Sequence, residues 1–335
     1  MKAAAFGEIL LRLSPEGHKR FLQADSFGAV YGGAEANVMV SLAQFGCETK
    51  LITKLPDHEI GQAAVNTLRQ YGVDTSGILR GGDRIGLYYL EKGAAQRPSK
   101  VIYDRAGSAL AAARADEFDW EQLLAGADYF HITGITPALS AECAKASLEA
   151  VKTAKRMGIT VSCDINYRRK LWDKDTAGRV MEEILGYTDI YIGGRDQAEE
   201  LFGIKAYARD DSDLGAYKAV AEKLRERFGF KLVAITLRTT VSSDENRWAA
   251  LLYDGNKHCY SREYRSLIVD RVGGGDSFAA GLIYALGEGM DTQAAVNFAA
   301  AASCLKLSVE GDCNIMSADE VKALAFGGGS AQVQR

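Results

Sequence analysis

Residues 270–278 read Asp-Arg-Val-Gly-Gly-Gly-Asp-Ser-Phe, and an apolar helical run to Leu286 follows directly. Glycine adopts backbone conformations that other residues avoid and lets a ligand approach the chain closely. A turn that enters a helix points its unpaired N–H groups at one place, where the helix dipole favours an anion. A carboxylate at that place, Asp276, can accept a proton from a hydroxyl group that attacks a bound phosphate. The alternative is that Asp276 only caps the helix, since aspartate is a favoured N-cap.

Composition and charge place the chain among ordinary globular proteins. Its 335 residues are 47% hydrophobic and 25% charged, which fits one large domain with an appendage, or two domains. Lys and Arg number 40 and Asp and Glu 44, so the net charge of -4 argues against a nucleic-acid or anionic-membrane partner. The six cysteines show no Cys-x-x-Cys spacing, and no apolar run approaches the length of a membrane span. These features predict a cytoplasmic protein with reduced thiols.

Strands and helices alternate along most of the chain. A predicted strand at residues 50–54 precedes a helix at 61–71, and a strand at 129–133 precedes a helix at 140–157. This repetition predicts an α/β protein with a mostly parallel sheet, whose ligands gather at the carboxyl ends of the strands.

One segment interrupts this alternation. Residues 84–91 and 100–105 are two β-rich, aromatic runs joined by a Gly- and Pro-containing loop without a helix, which predicts a hairpin. We interpret this hairpin, together with parts of residues 8–32, as a small lid sheet over the mouth of the main sheet. Such lids exclude water from a phosphoryl transfer reaction.

Two glycine-rich patterns connect the chain with a known family. The pattern Asp270-x-x-Gly273-x-Gly275-Asp276-Ser277-Phe278 resembles the second signature of the ribokinase-like (pfkB-type) carbohydrate kinases, normally Asp-Thr-x-Gly-Ala-Gly-Asp-x-Phe. Residues 32–37, Gly-Gly-Ala-Glu-Ala-Asn, resemble the first signature of the same family. Arg271 and Gly274 depart from the usual Thr and Ala.

The resemblance implies both a fold and catalytic roles. The expected fold is a three-layer α/β/α sandwich with a mostly parallel central sheet and a small β-sheet lid. The kinase domain would span residues 1–326, with the lid inserted from about 8–32 and 84–108, and residues 327–335 would be a flexible tail. The resemblance makes Asp276 the catalytic base, and the amides of Gly273, Gly274 and Gly275 an anion hole.

The first signature, together with several segments outside the two signatures, suggests how the sugar would be bound. Gly33 and Asn37 become sugar contacts by the same resemblance. The run from Tyr103 through Arg105 to residue 109 resembles Tyr-x-Arg-x-Gly-Ser-Ala of 2-keto-3-deoxygluconate kinases, in which the tyrosine and arginine reach the acid sugar. The loop at residues 164–172, Asp-x-Asn-x-Arg-x-x-Leu-Trp, resembles the corresponding loop of acid- and keto-sugar kinases, and this resemblance makes Arg168 a second candidate for binding the substrate carboxylate or the transferred phosphate. Tyr88 is the remaining lid candidate. The alternatives are that the tyrosines pack across strands and that the arginines are solvated surface charges.

The nucleotide contacts are less well preserved. Relatives use Thr-x-Gly against the nucleotide, and here the corresponding residues are Thr236 and Arg238. Gly273, Gly275 and Asn297, the last from an alanine-rich helix, complete the predicted nucleotide site. The family's Asn-x-x-Glu, which positions magnesium-bound phosphates, is replaced by Gly194 and Gln197. We therefore assign no metal ligand and expect Mg²⁺ to arrive with ATP, held by phosphates and water.

These patterns predict an ATP-dependent kinase that converts 2-keto-3-deoxygluconate into its 6-phosphate, and that forms a homodimer through the lid. Gluconate-type acids and their isomers stay open as substrates. One alternative is a kinase of a neutral sugar such as fructose or ribose, although two arginines would then face an uncharged ligand. Another is a catalytically silent sugar-binding or regulatory protein, against which the intact Gly-Gly-Gly-Asp run argues.

Overall fold

The computed structural model describes residues 1–207 and 213–327. Over these residues the strands are β1 Lys2–Phe6, β2 Leu10–Ser14, β3 Gly28–Gly32, β4 Glu48–Leu55, β5 Ile78–Arg80, β6 Gly86–Glu91, β7 Lys100–Asp104, β8 Tyr129–Thr133, β9 Thr160–Asp164, β10 Ile190–Gly193, β11 Leu232–Thr240, β12 Glu245–Tyr253, β13 His258–Tyr260 and β14 Tyr264–Leu267. The α-helices are α1 Ala34–Gln44, α2 Glu59–Gln70, α3 Trp120–Leu123, α4 Ala141–Arg156, α5 Lys174–Leu185, α6 Arg195–Phe202, α7 Leu214–Phe228, α8 Gly274–Gly287, α9 Thr292–Lys306 and α10 Ala318–Phe326.

The main sheet has ten strands in the order β13-β12-β11-β10-β9-β8-β1-β4-β5, with β14 also paired to β12. All pairs from β11 to β5 are parallel, whereas β12 pairs antiparallel with β11, β13 and β14. The expected α/β fold with a mostly parallel sheet is confirmed.

Both faces of the main sheet are covered by helices. In β1, Ala3 and Ala5 pack into an apolar core with α1, α2, α8, α9 and α10, whereas Ala4 and Phe6 pack into a second core with α3 to α7. Successive side chains of a strand point to opposite faces, so a strand such as β1, which is apolar from Ala3 to Phe6, is suited to burial between two helical layers. This arrangement confirms the three-layer sandwich.

A separate four-stranded sheet, ordered β3-β2-β6-β7, forms the lid. Its hairpin β6–β7 is antiparallel, with Tyr88 opposite Tyr103, as the sequence predicts. Strand β2 follows β1 after only three residues, and so it connects the lid directly to the centre of the main sheet.

The predicted tail, residues 327–335, lies outside the described residues apart from Gly327. None of the helices described is both long and apolar enough to cross a bilayer. The cytoplasmic location stays a prediction.

Candidate active site

A cleft of about 1450 Å³ lies at the carboxyl ends of the parallel strands, between the main sheet and the lid. It is lined from the main-sheet side by the ends of β9, β10 and β11, from the lid by β6 and β7, and by the first residues of α1 and α8. Of the predicted site residues all line this cleft except Asn297. The cleft is therefore the candidate active site.

The glycine turn opens α8 and leaves its first N–H groups available to the cleft. The N-cap residue is Gly273, whose φ of 83° lies in the left-handed region, and no side chain caps the helix there. A Cβ atom at Gly273 would lie 1.9 Å from the carbonyl oxygen of Asp312, so only glycine fits. A Cβ atom at Gly275 would meet nothing within 4 Å, because that residue faces the open cleft.

Asp276 lies in the first turn of α8 and is half-buried at the bottom of the cleft. It does not cap the helix, so the capping alternative is wrong. Burial, together with the charges of Asp164 and Asp312, raises the pKa of Asp276 to about 7. A carboxylate with such a pKa can accept a proton near neutral pH, which is the behaviour that a general base requires.

Asn37 holds the Asp276 carboxylate in place. Its Nδ2 atom donates a hydrogen bond of 2.7 Å to Oδ2 of Asp276, while its Oδ1 atom accepts from the Gly33 N–H at 3.2 Å. The Cys313 thiol also donates to Oδ1, at 3.5 Å. The Asn37 side chain, which the resemblance assigns to the sugar, is therefore used in this structure to orient the carboxylate.

Arg105 has a carboxylate partner that the sequence analysis missed. Its Nε atom donates to Oε2 of Glu8 at 2.8 Å, its Nη2 atom donates to the same oxygen, and the Ser108 hydroxyl donates to Oε1. Both Arg105 and Glu8 are buried. The alternative of a solvated surface charge is therefore wrong for Arg105, but much of its charge is already balanced by Glu8.

Tyr88 and Tyr103 lie side by side on the inner face of the lid, with ring centroids 6.1 Å apart. The Tyr88 hydroxyl donates to Oδ2 of Asp312 at 2.5 Å, and the Arg105 guanidinium lies 5.7 Å from the centre of the Tyr103 ring. Both tyrosines line the cleft, and they also pack on each other across β6 and β7.

A buried arginine joins the lid to the glycine turn. Arg12 of β2 donates to Oδ2 of Asp270 at 2.6 Å and to Oδ1 of Asp312 at 2.7 Å, and all three side chains are at most 2% exposed. Burial alone would lower the pKa of Arg12, but the two carboxylates outweigh it and raise that pKa. The signal that could have identified Arg12 is a charged residue within the otherwise apolar run Leu10–Leu13.

The end of β9 brings a second carboxylate and an arginine to the cleft. Burial raises the pKa of Asp164 to about 6, although the Asn166 N–H donates to its Oδ1 atom at 3.1 Å. Arg168, two residues after Asn166, is exposed and lines the cleft. Within residues 1–207 and 213–327 it makes no ion pair, so its charge is available to an anionic ligand.

At the start of α6, Gly194 and Gln197 occupy the two positions where the family has Asn and Glu, and neither supplies a carboxylate. The Oε1 atom of Gln197 accepts from the Gly194 N–H at 2.9 Å, so this side chain is used to cap the helix. In the described part of the chain, no cluster of three His, Cys, Asp or Glu residues is arranged to hold a metal ion. The residues present therefore do not fit a dedicated protein cage for Mg²⁺.

On the nucleotide side, Thr236 and Arg238 of β11 line the cleft wall, whereas Asn297 lies behind it. The Oδ1 atom of Asn297 accepts from Gln293 Nε2 at 3.4 Å, and Gln293 also donates to the carbonyl group of Tyr260. The alanine run of α9 that follows is fully buried against α8. The predicted contact between Asn297 and the nucleotide stays a prediction.

Comparison with known proteins gives consistent results. The description "pfkB family carbohydrate kinase" matches residues 2–319. The 2-dehydro-3-deoxygalactonokinase of Haloferax volcanii is 32% identical over 323 residues, covering 96% of each chain. The 2-dehydro-3-deoxygluconokinase of Bacillus subtilis is 27% identical over 316 residues, covering 93% of this chain and 91% of the other. The crystal structure of 2-dehydro-3-deoxygluconokinase from Thermotoga maritima is 47% identical, with a TM-score of 0.95 over 98% of each chain.

Proposed function

The chain belongs to the pfkB family of carbohydrate kinases, and on that basis we propose that it transfers the γ-phosphoryl group of ATP to 2-keto-3-deoxygluconate. This acid sugar is the 2-dehydro-3-deoxygluconate in the names of the relatives from Bacillus subtilis and Thermotoga maritima. The product is the 6-phosphate of the sugar. The observation that carries the proposal is Asp276, held by Asn37 beside the glycine turn with a pKa of about 7.

In the proposed reaction the terminal hydroxyl oxygen of the sugar attacks the γ-phosphorus of ATP. Asp276 accepts the hydroxyl proton, the new O–P bond forms, and the bond from the γ-phosphorus to the bridging oxygen breaks, so that ADP leaves. The N–H groups of the Gly273–Gly275 turn stabilise the charge on the transferred group, an effect typically worth a few kcal/mol. Mg²⁺ would enter with ATP, held by phosphate oxygens and water.

The acid group of the sugar would be bound at the opposite end of the substrate. Arg168 supplies an unpaired guanidinium, and Arg105 retains N–H groups that Glu8 does not use, with Tyr88 and Tyr103 forming the lid above. Fixing both ends of the sugar orients the reacting hydroxyl toward the γ-phosphorus. A homodimer through the outer face of the lid, where Phe27 and Ile102 are exposed, is part of the same proposal.

A second candidate substrate is 2-keto-3-deoxygalactonate, which differs from the first sugar in configuration at C4. It is favoured by the Haloferax volcanii relative, which is 32% identical and is named for that sugar. Both sugars carry the same carboxylate and terminal hydroxyl group, so the proposed mechanism serves either.

The test is an ADP-release assay with both ketodeoxy acids, gluconate, fructose, ribose and adenosine. A kcat/KM for a ketodeoxy acid that exceeds those for fructose and ribose by at least about tenfold, or about 1.4 kcal/mol, would support the carboxylate site. The difference in kcat/KM between the two ketodeoxy acids would select the epimer. A preference for fructose or ribose would retain the kinase but exclude the carboxylate site. Binding of a sugar without any ADP release would instead indicate a silent binding protein.

A further inference from the structure

Two arginines on the nucleotide side of the cleft take no part in the reaction steps described above: Arg238, for which the resemblance predicts a nucleotide contact without saying to which group, and Arg271, to which it assigns none. Arg238 lies on β11, opposite Trp248 of β12, and Arg271 lies two residues before the left-handed Gly273. Both side chains line the same cleft as Asp276. They therefore line the cleft on the side of β11 and of the segment that precedes the glycine turn.

Neither of the two positive charges, on Arg238 and Arg271, is balanced by an ion pair with a residue in the described ranges, 1–207 and 213–327. Surrounding protein atoms, together with the positive charges of Arg271 and Arg168, lower the pKa of Arg238. Like charges gathered at one site repel each other, and an anionic ligand would relieve that repulsion.

Arg271 is also held in position before any ligand binds. Its Nη2 atom donates to the carbonyl oxygen of Ser243 at 3.1 Å, whereas its Nε atom is buried and has no hydrogen-bond partner within the described chain. Ser243 in turn donates from its N–H to the carbonyl oxygen of Ala95 at 2.8 Å, and from its hydroxyl to that of Arg97 at 2.6 Å. The guanidinium is thus fixed by a turn that is itself bonded to the tip of the lid.

We propose that Arg238 and Arg271 form a polyphosphate clamp, which binds the β- and γ-phosphates of the nucleotide opposite the N–H groups of the glycine turn. The inference rests on the phosphoryl transfer proposed above. Unlike Arg105, which is paired with Glu8, neither of these guanidinium groups has an acidic partner among the described residues, so together they favour a ligand with more than one negative charge, such as a nucleoside triphosphate, over the single carboxylate of an acid sugar. The planar guanidinium also matches two phosphate oxygens at once.

The experiment compares ADP with AMP, because only ADP carries the β-phosphate. Dissociation constants are measured by calorimetry, without sugar, for the unmodified protein, Arg238→Gln, Arg271→Gln and the double variant. We expect each single variant to bind ADP roughly tenfold more weakly, the scale of one hydrogen bond to a charged group, and to bind AMP unchanged. The control is Arg169→Gln, which also removes one positive charge, but from an exposed side chain that pairs with Glu200.

Further measurements on the same variants test the clamp and separate it from the proposed function. Thermal unfolding must show that the variants fold, and Arg271→Lys, which retains a charge without the fork, should bind ADP with intermediate affinity. A double variant that binds ADP as tightly as the unmodified protein would overturn the clamp, as would an unchanged ADP affinity combined with a raised KM for the sugar. If the unmodified protein distinguishes ADP from AMP through these arginines but phosphorylates no sugar, the proposed function fails and the clamp stands.

Discussion

At the scale of single residues, the Asp276 carboxylate has the two properties that a general base needs. It is oriented by the hydrogen bond from Asn37, and its pKa of about 7 lets it gain and lose a proton near neutral pH. Asn37 contributes to both properties, because its hydrogen bond orients the carboxylate and lowers its pKa. Removing the carboxylate and removing Asn37 should therefore have different effects.

Replacing the carboxylate tests its role directly. We expect Asp276→Asn to fold and to bind ATP, since the asparagine side chain has the same shape and can still accept the hydrogen bond from Asn37. Phosphoryl transfer should fall by at least about two orders of magnitude, the usual scale for loss of a general base. Steady-state kinetics with the preferred sugar is the measurement, and near-normal turnover would remove Asp276 from the mechanism.

The pH dependence of the reaction gives a second test at this scale. The carboxylate must be unprotonated to act as a base, so kcat/KM should rise as pH increases through about 7 and then level off. The hydrogen bond from Asn37 lowers the pKa of Asp276, so Asn37→Ala should move the rising limb to higher pH as well as lowering the plateau.

The matched control for that experiment is Asn66→Ala, which changes an exposed asparagine on α2. It should leave the profile where it is in the unmodified protein. An Asn37→Ala profile that keeps its midpoint and loses only height would mean that Asn37 does not tune the Asp276 pKa.

At the scale of secondary-structure elements, the junction between the glycine turn and α8 separates stability from catalysis. Gly273 needs a left-handed φ and lies against Asp312, so Gly273→Ala should reduce both the thermal stability and the activity. Gly275 faces open space, so Gly275→Ala should leave the melting temperature nearly unchanged. Its new methyl group would nevertheless project where the phosphate must approach, and ATP turnover should fall. Equal losses of stability in the two variants would contradict this division.

The elements themselves show what a sequence can and cannot predict. The run at residues 129–133, which became β8, and the aromatic runs that became the β6–β7 hairpin carry their own signals, and both were predicted correctly. Strand β14, Tyr264–Leu267, was not predicted, because it is four residues long, contains a charged arginine and is defined by its pairing with β12.

In the candidate site, Asp276 and the glycine turn could be found from their local sequence pattern. The partners of Arg105 and Arg12 could not, because Glu8 lies 97 residues from Arg105 and Asp270 lies 258 residues from Arg12.

At the scale of the whole molecule, Arg12 connects the lid, the glycine turn and the segment after α9 through buried charges. Arg12→Met should lower the free energy of unfolding by about 3–5 kcal/mol, because it removes the buried cation that Asp270 and Asp312 share and leaves Asp270 with only the more distant Lys92, at 3.7 Å. Urea-induced unfolding is the measurement. Arg114→Met is the control, since Arg114 and its partner Asp116 are both on the surface, and it should leave the unfolding midpoint unchanged. A loss in Arg12→Met no larger than in the control would show that the buried network contributes little.

The bond between Arg12 and Asp312 joins residues that are 300 positions apart in the chain. During synthesis on the ribosome, the first strand of the lid therefore emerges long before its anchor. The carbonyl group of Asp312 also packs against Gly273, so the glycine turn reaches its final form only when this late segment has arrived. A nascent chain that stops short of Asp312 would therefore carry Asp276 beside an unfinished glycine turn, and we expect it to have no kinase activity until this segment has folded against the turn.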